Sequence, residues 1–278
     1  MGIRHSVRNR NGIVIWYSEY ALSPQRRGAL IRVDSGFADI HPWPELGDAP
    51  LETQLDLLRD GRTTALTRRS LEMAKLDGAA RERGVSLFQG LTIPESHWPG
   101  PDPPPEFDTV KLKSIERIPP RVRLRFDFNA RLTPEQFLMI AEGLPGERID
   151  FVEDPCPYDG GTWSALRDAT GMRLALDRFV ADEGVDVLIV KPAIQDIPDT
   201  KKELVITSYM DHPVGQFGAA YFAALHPVRR CGLFTHVLYE HNEFIEMIRV
   251  NGARLLPPEG TGVGFDPLLE GLPWKKLA

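Results

Sequence analysis

The chain has only two cysteines in 278 residues, Cys156 and Cys231, and neither lies in a CxxC or mixed Cys/His spacing. This scarcity excludes a disulfide scaffold and a thiolate-bound zinc, so both are expected to be buried free thiols. No apolar run approaches the roughly 18 residues a membrane-crossing helix needs. Met1 to Arg8 has no apolar leader core, so the expectation is a cytoplasmic protein with no membrane partner. Basic residues are not in excess: 33 Lys and Arg against 39 Asp and Glu give a formal net charge of −6, with the arginines scattered among acids. Nucleic acid is therefore excluded as a main partner. A glycine-rich phosphate loop is also missing, which argues against an open dinucleotide-binding sheet.

The first hundred residues read as a small α+β lobe. β-rich stretches at Ile13 to Tyr17, Ala29 to Val33 and Phe37 to His41 suggest a meander turned at Asp34-Ser35-Gly36. Helical patterns follow at Leu51 to Leu58 and Thr64 to Arg83. Between Thr92 and Glu106 stand six prolines, Pro94, Pro99, Pro101, Pro103, Pro104 and Pro105. That density predicts a stiff strap without helix or ladder pairing.

Beyond the strap, buried strand-like runs alternate with helical segments, as in βαβ units. Helices are expected at Pro134 to Leu144 behind Thr133, at Thr162 to Thr170 before Gly171, and at Val214 to Leu225. Leu204 to Ser208 and Leu233 to Val237 complete the expected strands.

Five of the buried runs carry charge where each strand should end: Lys111-Leu112-Lys113, Arg125-Phe126-Asp127-Phe128-Asn129, Val152-Glu153-Asp154-Pro155, Leu176-Asp177 and Val190-Lys191-Pro192. An unpaired buried charge costs several kcal/mol, so the set needs a shared reason to be there. Strand ends from successive strands meet at the C-terminal face of a (β/α)8 barrel. The gaps from Lys113 to Asp127, Asp177 to Lys191 and Lys191 to Ser208 are too short or too proline-rich for whole helices. The fold class expected is α/β: a modified, helix-depleted TIM-type barrel over residues 106–240. An α+β capping domain spans 1–105 and is completed by 241–278.

Three convergent carboxylates would raise one another's pKa, and a hard divalent cation resolves the conflict. All-oxygen ligation favours Mg²⁺, with Mn²⁺ able to substitute, and its role is to stabilise an oxyanion developing on a substrate carboxylate. Lys111 and Arg125 beside Lys113 would press a lysine pKa downward, toward the range of a working base. Lys191 would face the metal from the opposite wall. The pattern describes proton abstraction next to a carboxylate on a small-molecule substrate.

On these residues the chain resembles the enolase superfamily, muconate-lactonising subgroup, and within it the o-succinylbenzoate synthase family. Superfamily sites of this kind pair a Lys or His base with Mg²⁺. Gly36 to Pro44, Val205 to Ser208 and Gly260 to Gly264 extend the likeness across nearly the whole chain. The resemblance implies dehydration of 2-succinyl-6-hydroxy-2,4-cyclohexadiene-1-carboxylate in menaquinone biosynthesis. It implies Asp127, Glu153 and Asp177 as metal ligands, Lys113 as base and then acid, and Lys191 as the opposing cation. Lys111, Arg125, Thr207 and Ser208 would line the substrate site, with Asn129 behind the ligands. The chain departs from the family pattern at Asp154, at Arg178-Phe179 and in its missing helices. Two alternatives stand beside this reading: an N-acylamino-acid racemase or dipeptide epimerase with the same site, and a metal-binding relative without turnover.

Overall fold

The computed structural model describes residues 14–277. The expected strand residue Ile13 and the segment Met1 to Arg8 lie outside that range. The chain opens with three antiparallel strands, β1 (Ile15–Ser23), β2 (Arg26–Val33) and β3 (Gly36–Ile40), then helices α1 (Leu51–Arg59) and α2 (Ala65–Glu82). Thr64 and Thr67 close a capping box on α2, satisfying backbone donors that would otherwise be orphaned. α2 lies so close to β3 that a Cβ on Gly36 would stand 1.8 Å from the Ala74 carbonyl oxygen, so only glycine fits.

Next come β4 (Glu95–Ser96), β5 (Thr109–Leu112), β6 (Arg123–Asp127), α3 (Pro134–Glu142), β7 (Ile149–Glu153), α4 (Gly160–Thr170), β8 (Leu174–Asp177), β9 (Val187–Val190), β10 (Glu203–Ile206), α5 (Pro213–Leu225) and β11 (Arg230–Cys231). Strands β5 to β10 form one parallel sheet in sequence order. β11 pairs in parallel with β4, and bridges Trp98↔Val110 and Thr207↔Gly232 join this pair to both sheet edges. Eight parallel strands thus close a ring.

The proline strap therefore contains a strand, contrary to expectation. Glu95 to Trp98 is a proline-free island, and His97 N donates to Cys231 O (2.9 Å) while Trp98 N donates to Thr109 O (2.9 Å). The last strand is also earlier than expected, at Arg230–Cys231; Thr235–Leu238 is a 3-10 turn.

The helix depletion expected from the short gaps is present: among the described residues no helix lies between β5 and β6, β8 and β9, or β9 and β10, nor between β4 and β5. Polar side chains cover the openings. Lys202 Nζ donates to Asp182 O and Val185 O after β8, and Arg148 donates to Pro119 O after β5. Over the β9–β10 loop, the cap helix α2 sends Arg69 to Pro192 O (2.9 Å) and to Asp196 (2.8 Å).

The chain ends with α6 (Glu243–Glu246), the hairpin β12 (Arg249–Asn251) and β13 (Arg254–Leu256), α7 (Asp266–Gly271) and β14 (Lys275–Lys276), which pairs with β1. Fully buried Asp77 of α2 receives the amides of Phe37 (2.8 Å) and Val263 (2.5 Å), so the Gly260–Gly264 return is tied to the cap. No helix among the described residues is long and apolar enough to cross a membrane.

Cap and barrel also share a buried polar cluster. Tyr20 donates to Asp39 (2.6 Å), and the His212 amide donates to the other Asp39 oxygen (3.1 Å). Burial, and then the charge of Asp211, raise Asp39 well above the carboxylate range; burial pushes Asp211 up to about 7. Buried His41 and His212 are held down at about 4 and about 3. The folded state thus keeps a proton on Asp211 that the unfolded chain releases near pH ~4. Its contribution to stability is full in acid and is lost as pH rises toward about 7. The histidines act oppositely, losing stability as pH falls below their unfolded value of ~6.5. Asp211→Asn is expected to raise the melting temperature at pH 8 and to lose that gain near pH ~4. Thermal melts at the two pH values check it, and a pH-independent difference would remove Asp211 from this role.

Candidate active site

Because side chains alternate along each strand, the inward positions of the ring fall into layers. The lower layer is apolar: Phe151, Ala175, Val187, Ile189 and Val205 form a separate buried cluster. The layer above it, at the C-terminal strand ends, carries the charges.

Lys111 Nζ lies 2.9 Å from Asp127 Oδ2 and 2.7 Å from Glu153 Oε1. Asp127 and Glu153 are register partners on β6 and β7. Across the ring, Lys191 at the end of β9 holds Asp177 at the end of β8. Lys113, two residues beyond Lys111, is exposed at the rim and has no ion-pair partner among the described residues.

These neighbours set the electrostatics. Burial pulls the Lys111 ammonium down, but Glu153, Asp127 and Asp177 outweigh it and hold it well above the lysine range. Its neighbours in space are acids. Burial pushes Glu153 up to about 7 against the pull of Lys111, with Asp127 and Asp177 adding to the rise. Burial would raise Asp127 too, but Lys111 and then Lys113 keep it below its usual value. Asp154 is a fourth carboxyl, raised to about 8 by burial and by Asp177 and Glu153, and its Oδ1 accepts from the Asp177 amide (3.2 Å). The sequence signalled it only as a departure from the family pattern.

Among the described residues no three His, Cys, Asp or Glu side chains converge on one point as ligands of an ion. The two ammonium groups hold the acids instead. The donor chemistry nevertheless fits a hard dication, since all donors are oxygens, all are largely buried, and the carboxyls outnumber the lysines bound to them.

All of these charges except Glu153 border a cavity of about 710 Å³. Lys111, Lys113, Asp127, Asn129, Asp177, Lys191, Thr207 and Ser208 all line it. Asn129, in the left-handed region at φ 51°, donates its amide to Asp127 Oδ1 (3.0 Å). Thr207 Oγ1 is buried without a hydrogen-bond partner among the described residues, while Ser208 is engaged by Thr235 (2.6 Å).

Arg125 is the exception among the expected substrate contacts. It is 2 % exposed and lies below the cavity, paired with Asp150 (2.8 Å), bonded to His97 Nδ1 (2.9 Å) and stacked 4.7 Å from the Phe151 ring. It is a structural cation of the barrel interior and does not line the pocket. His97, at the end of β4, does line it and was missed because its strand was hidden among prolines. Gly232 lies beside it, where a Cβ would stand 2.8 Å from both His97 and Thr207.

A ring of parallel strands with acids and lysines at its C-terminal rim, closed by an α+β cap, is a capped α/β barrel. Solved structures with this fold include the dipeptide epimerase of Cytophaga hutchinsonii, complexed with Mg and a dipeptide, at TM-score 0.71 and 14% identity over 96% of this chain and 99% of that one. The L-Ala-D/L-Glu epimerase of Bacillus subtilis matches at TM-score 0.65 and 18% identity over 90% and 97%. Residues 15–80 match the N-terminal domain model of O-succinylbenzoate synthase. The o-succinylbenzoate synthase of Bdellovibrio bacteriovorus is 33% identical over 95% of this chain and 99% of its own length. The chain belongs to the o-succinylbenzoate synthase family, whose members are lyases.

Replacing Arg125 by leucine would leave Asp150 charged, largely buried and without its closest partner. Arg123 (3.4 Å) and Arg173 (3.7 Å) remain beside Asp150, so a loss of about 1.5–3 kcal/mol, the scale of a hydrogen bond to a charged group, is expected. Urea unfolding measures it; a weakened substrate KM with unchanged stability would return Arg125 to the binding site.

Proposed function

We propose that this chain is a Mg²⁺-dependent carbon–oxygen lyase. It would convert 2-succinyl-6-hydroxy-2,4-cyclohexadiene-1-carboxylate to o-succinylbenzoate in the cytoplasmic synthesis of menaquinone. The observation that carries the reading is the position of Lys113: exposed, unpaired, and at the rim of a carboxylate-lined cavity bordered on its far side by Lys191. Membership of the family supports it.

Asp127, Glu153 and Asp177 would hold the Mg²⁺, and Mn²⁺ would serve in its place. When bound, the ion supplies Lewis-acid stabilisation to the substrate carboxylate as charge develops there. Lys113 removes the proton on the carbon next to that carboxylate. The electron pair moves onto the carboxylate, where the Lys191 ammonium offsets the added charge. When the carbon–oxygen bond of the 6-hydroxyl breaks, Lys113 returns the proton to the departing group, which leaves as water. Asn129 fixes the orientation of Asp127 through its backbone amide. The unpartnered hydroxyl of Thr207 would find its acceptor or donor in the substrate, with Ser208 beside it. Lys111 would give up its two carboxylates to the ion and contact the substrate.

Lysines on β5 and β9 also suit a racemase or epimerase, with one base for each face of a carbon. Against a dipeptide epimerase, though not against an N-acylamino-acid racemase, Phe234-Thr235-His236 after the last strand offers no Asp-x-Asp pair of the kind such epimerases typically carry. Incubation with the cyclohexadiene substrate, and separately with N-succinylamino acids in deuterated water, distinguishes the two. Turnover of neither, with Mg²⁺ bound, would leave an inactive metal-binding relative.

Lys113→Ala is expected to abolish dehydration while Mg²⁺ affinity, read by titration calorimetry, survives. Normal turnover in that variant would sink the base assignment. For Asp177→Asn the same calorimetry should show at least about a tenfold loss of Mg²⁺ affinity, the scale of a lost charged ligand contact. Unchanged affinity would remove Asp177 from the ligand set.

A further inference from the structure

Five cationic side chains line the cavity: Lys111, Lys113, Arg117, Arg178 and Lys191. Three already have carboxylate partners. Lys111 holds Asp127 and Glu153, Lys191 holds Asp177, and Arg117 makes a two-armed contact with Asp102. Lys113 and Arg178 have no carboxylate within 4.0 Å among the described residues. With Lys113 taken as the base, Arg178 is the cation left without a carboxylate partner, beside an apolar wall that includes Leu46, Leu112 and Met210, and that side of the cavity is complementary to an anionic group carried by the ligand away from the strand ends.

The two cations are on different walls. Lys113 extends from β5. Arg178 directly follows Asp177 but reaches away from the barrel toward the cap, donating to the Leu46 carbonyl (2.8 Å) and to Tyr209 Oη (3.2 Å). Tyr209 in turn donates to Asp48 (2.8 Å), which also receives the Trp43 amide (2.9 Å). The guanidinium is thereby clamped between cap and barrel by two neutral acceptors, leaving the rest of its five N–H donors unassigned at the cavity wall. Its backbone lies at φ 67°, a conformation costly for a side-chain-bearing residue, and this aims the chain out of β8.

We infer that Arg178 is a specificity residue that receives the second, distal carboxylate of the substrate, the first being held at the strand-end acids and lysines. The inference rests on the dehydratase reading for the identity of the diacid and for Lys113 as the base. A planar fork fixed at both edges is preorganised for bidentate carboxylate binding, which a lysine at the same place would match only as a point charge. The departure from the family pattern at Arg178 thus acquires a purpose.

The test is titration calorimetry of the Mg²⁺-loaded protein with o-succinylbenzoate and with the analogue whose distal carboxylate is a primary carboxamide. Arg178→Gln is expected to weaken the diacid at least about tenfold, the scale of a hydrogen-bonded charge, and to leave the carboxamide unchanged. Arg178→Lys should fall between. Asp48→Asn loosens the cap contact without touching the guanidinium and should keep the wild-type preference for the diacid. Equal weakening of both ligands in Arg178→Gln would mean that Arg178 only latches the cap, and unchanged diacid affinity would also overturn the inference. Preference for the diacid in a protein that dehydrates nothing would refute the proposed reaction and leave Arg178 standing. Normal dehydration with an unchanged KM in Arg178→Gln would do the reverse.

Discussion

The structure depends on how a ring of buried carboxylates is neutralised. Asp127, Glu153 and Asp177 end three adjacent strands; burial bears on Asp127 and Glu153, and Glu153 also feels the field of Asp127 and Asp177. Left alone they would not remain charged; a shared proton or a cation must stay with them. Lys111 and Lys191 perform that task here, one bridging two acids and the other holding the third. The same requirement makes the site suited to a dication, because a stronger cation can displace the ammonium groups and leave both lysines near the reacting atoms. In the proposed reaction, neutralisation and catalysis would draw on one set of side chains.

Much of this was legible in the sequence because burial and alternation leave strong marks. A charge after three or four β-rich apolar residues is unusual, and five such charges in strand order indicate a common rim. The short, proline-containing gaps told which crossovers lack helices, since a helix needs a minimum length whatever its composition. What escaped had specific causes. Glu95 to Trp98 is too short for a periodic signal and is flanked by prolines, so the strand that helps close the ring, and His97 at its end, went unseen. Alternation placed Arg125 on the inward face but gave no depth along the barrel axis, and depth separates a substrate contact from a buried partner of Asp150. The residues next to Lys111 show nothing of the acids that parallel pairing brings to it.

Loss of outer helices would normally expose strand surface and loosen the ring. The cap offsets part of this by covering the β9–β10 opening with α2, where Arg68 and Arg69 both reach Asp196. The carboxyl-terminal segment does the same for the cap, through Arg81 to Asp266 (2.6 Å) and Asp77 to Val263. Cap, barrel and return segment are thus mutually dependent. Their shared interface includes a neutral buried cluster around Asp39 and Asp211, where a charge would be costly.

The remaining question is why the rim keeps its geometry when its scaffold is thin. Beyond the strands β6, β7, β8 and β10, the chain turns through left-handed residues that are not glycine: Asn129, Asp154, Arg178 and Met210. Such conformations cost on the order of 1 kcal/mol or more each and persist only where surrounding contacts over-determine them. Here those contacts are local: Ala130 N donates to Asp154 O (2.8 Å), Asp177 N to Asp154 Oδ1 (3.2 Å), and Arg178 to the cap. The turns interlock with one another and with the cap rather than with outer helices. The strain that aims the rim carboxyls is therefore balanced within the rim itself, which explains how the barrel can dispense with helices at four of its seven crossovers while the charged ring stays in place.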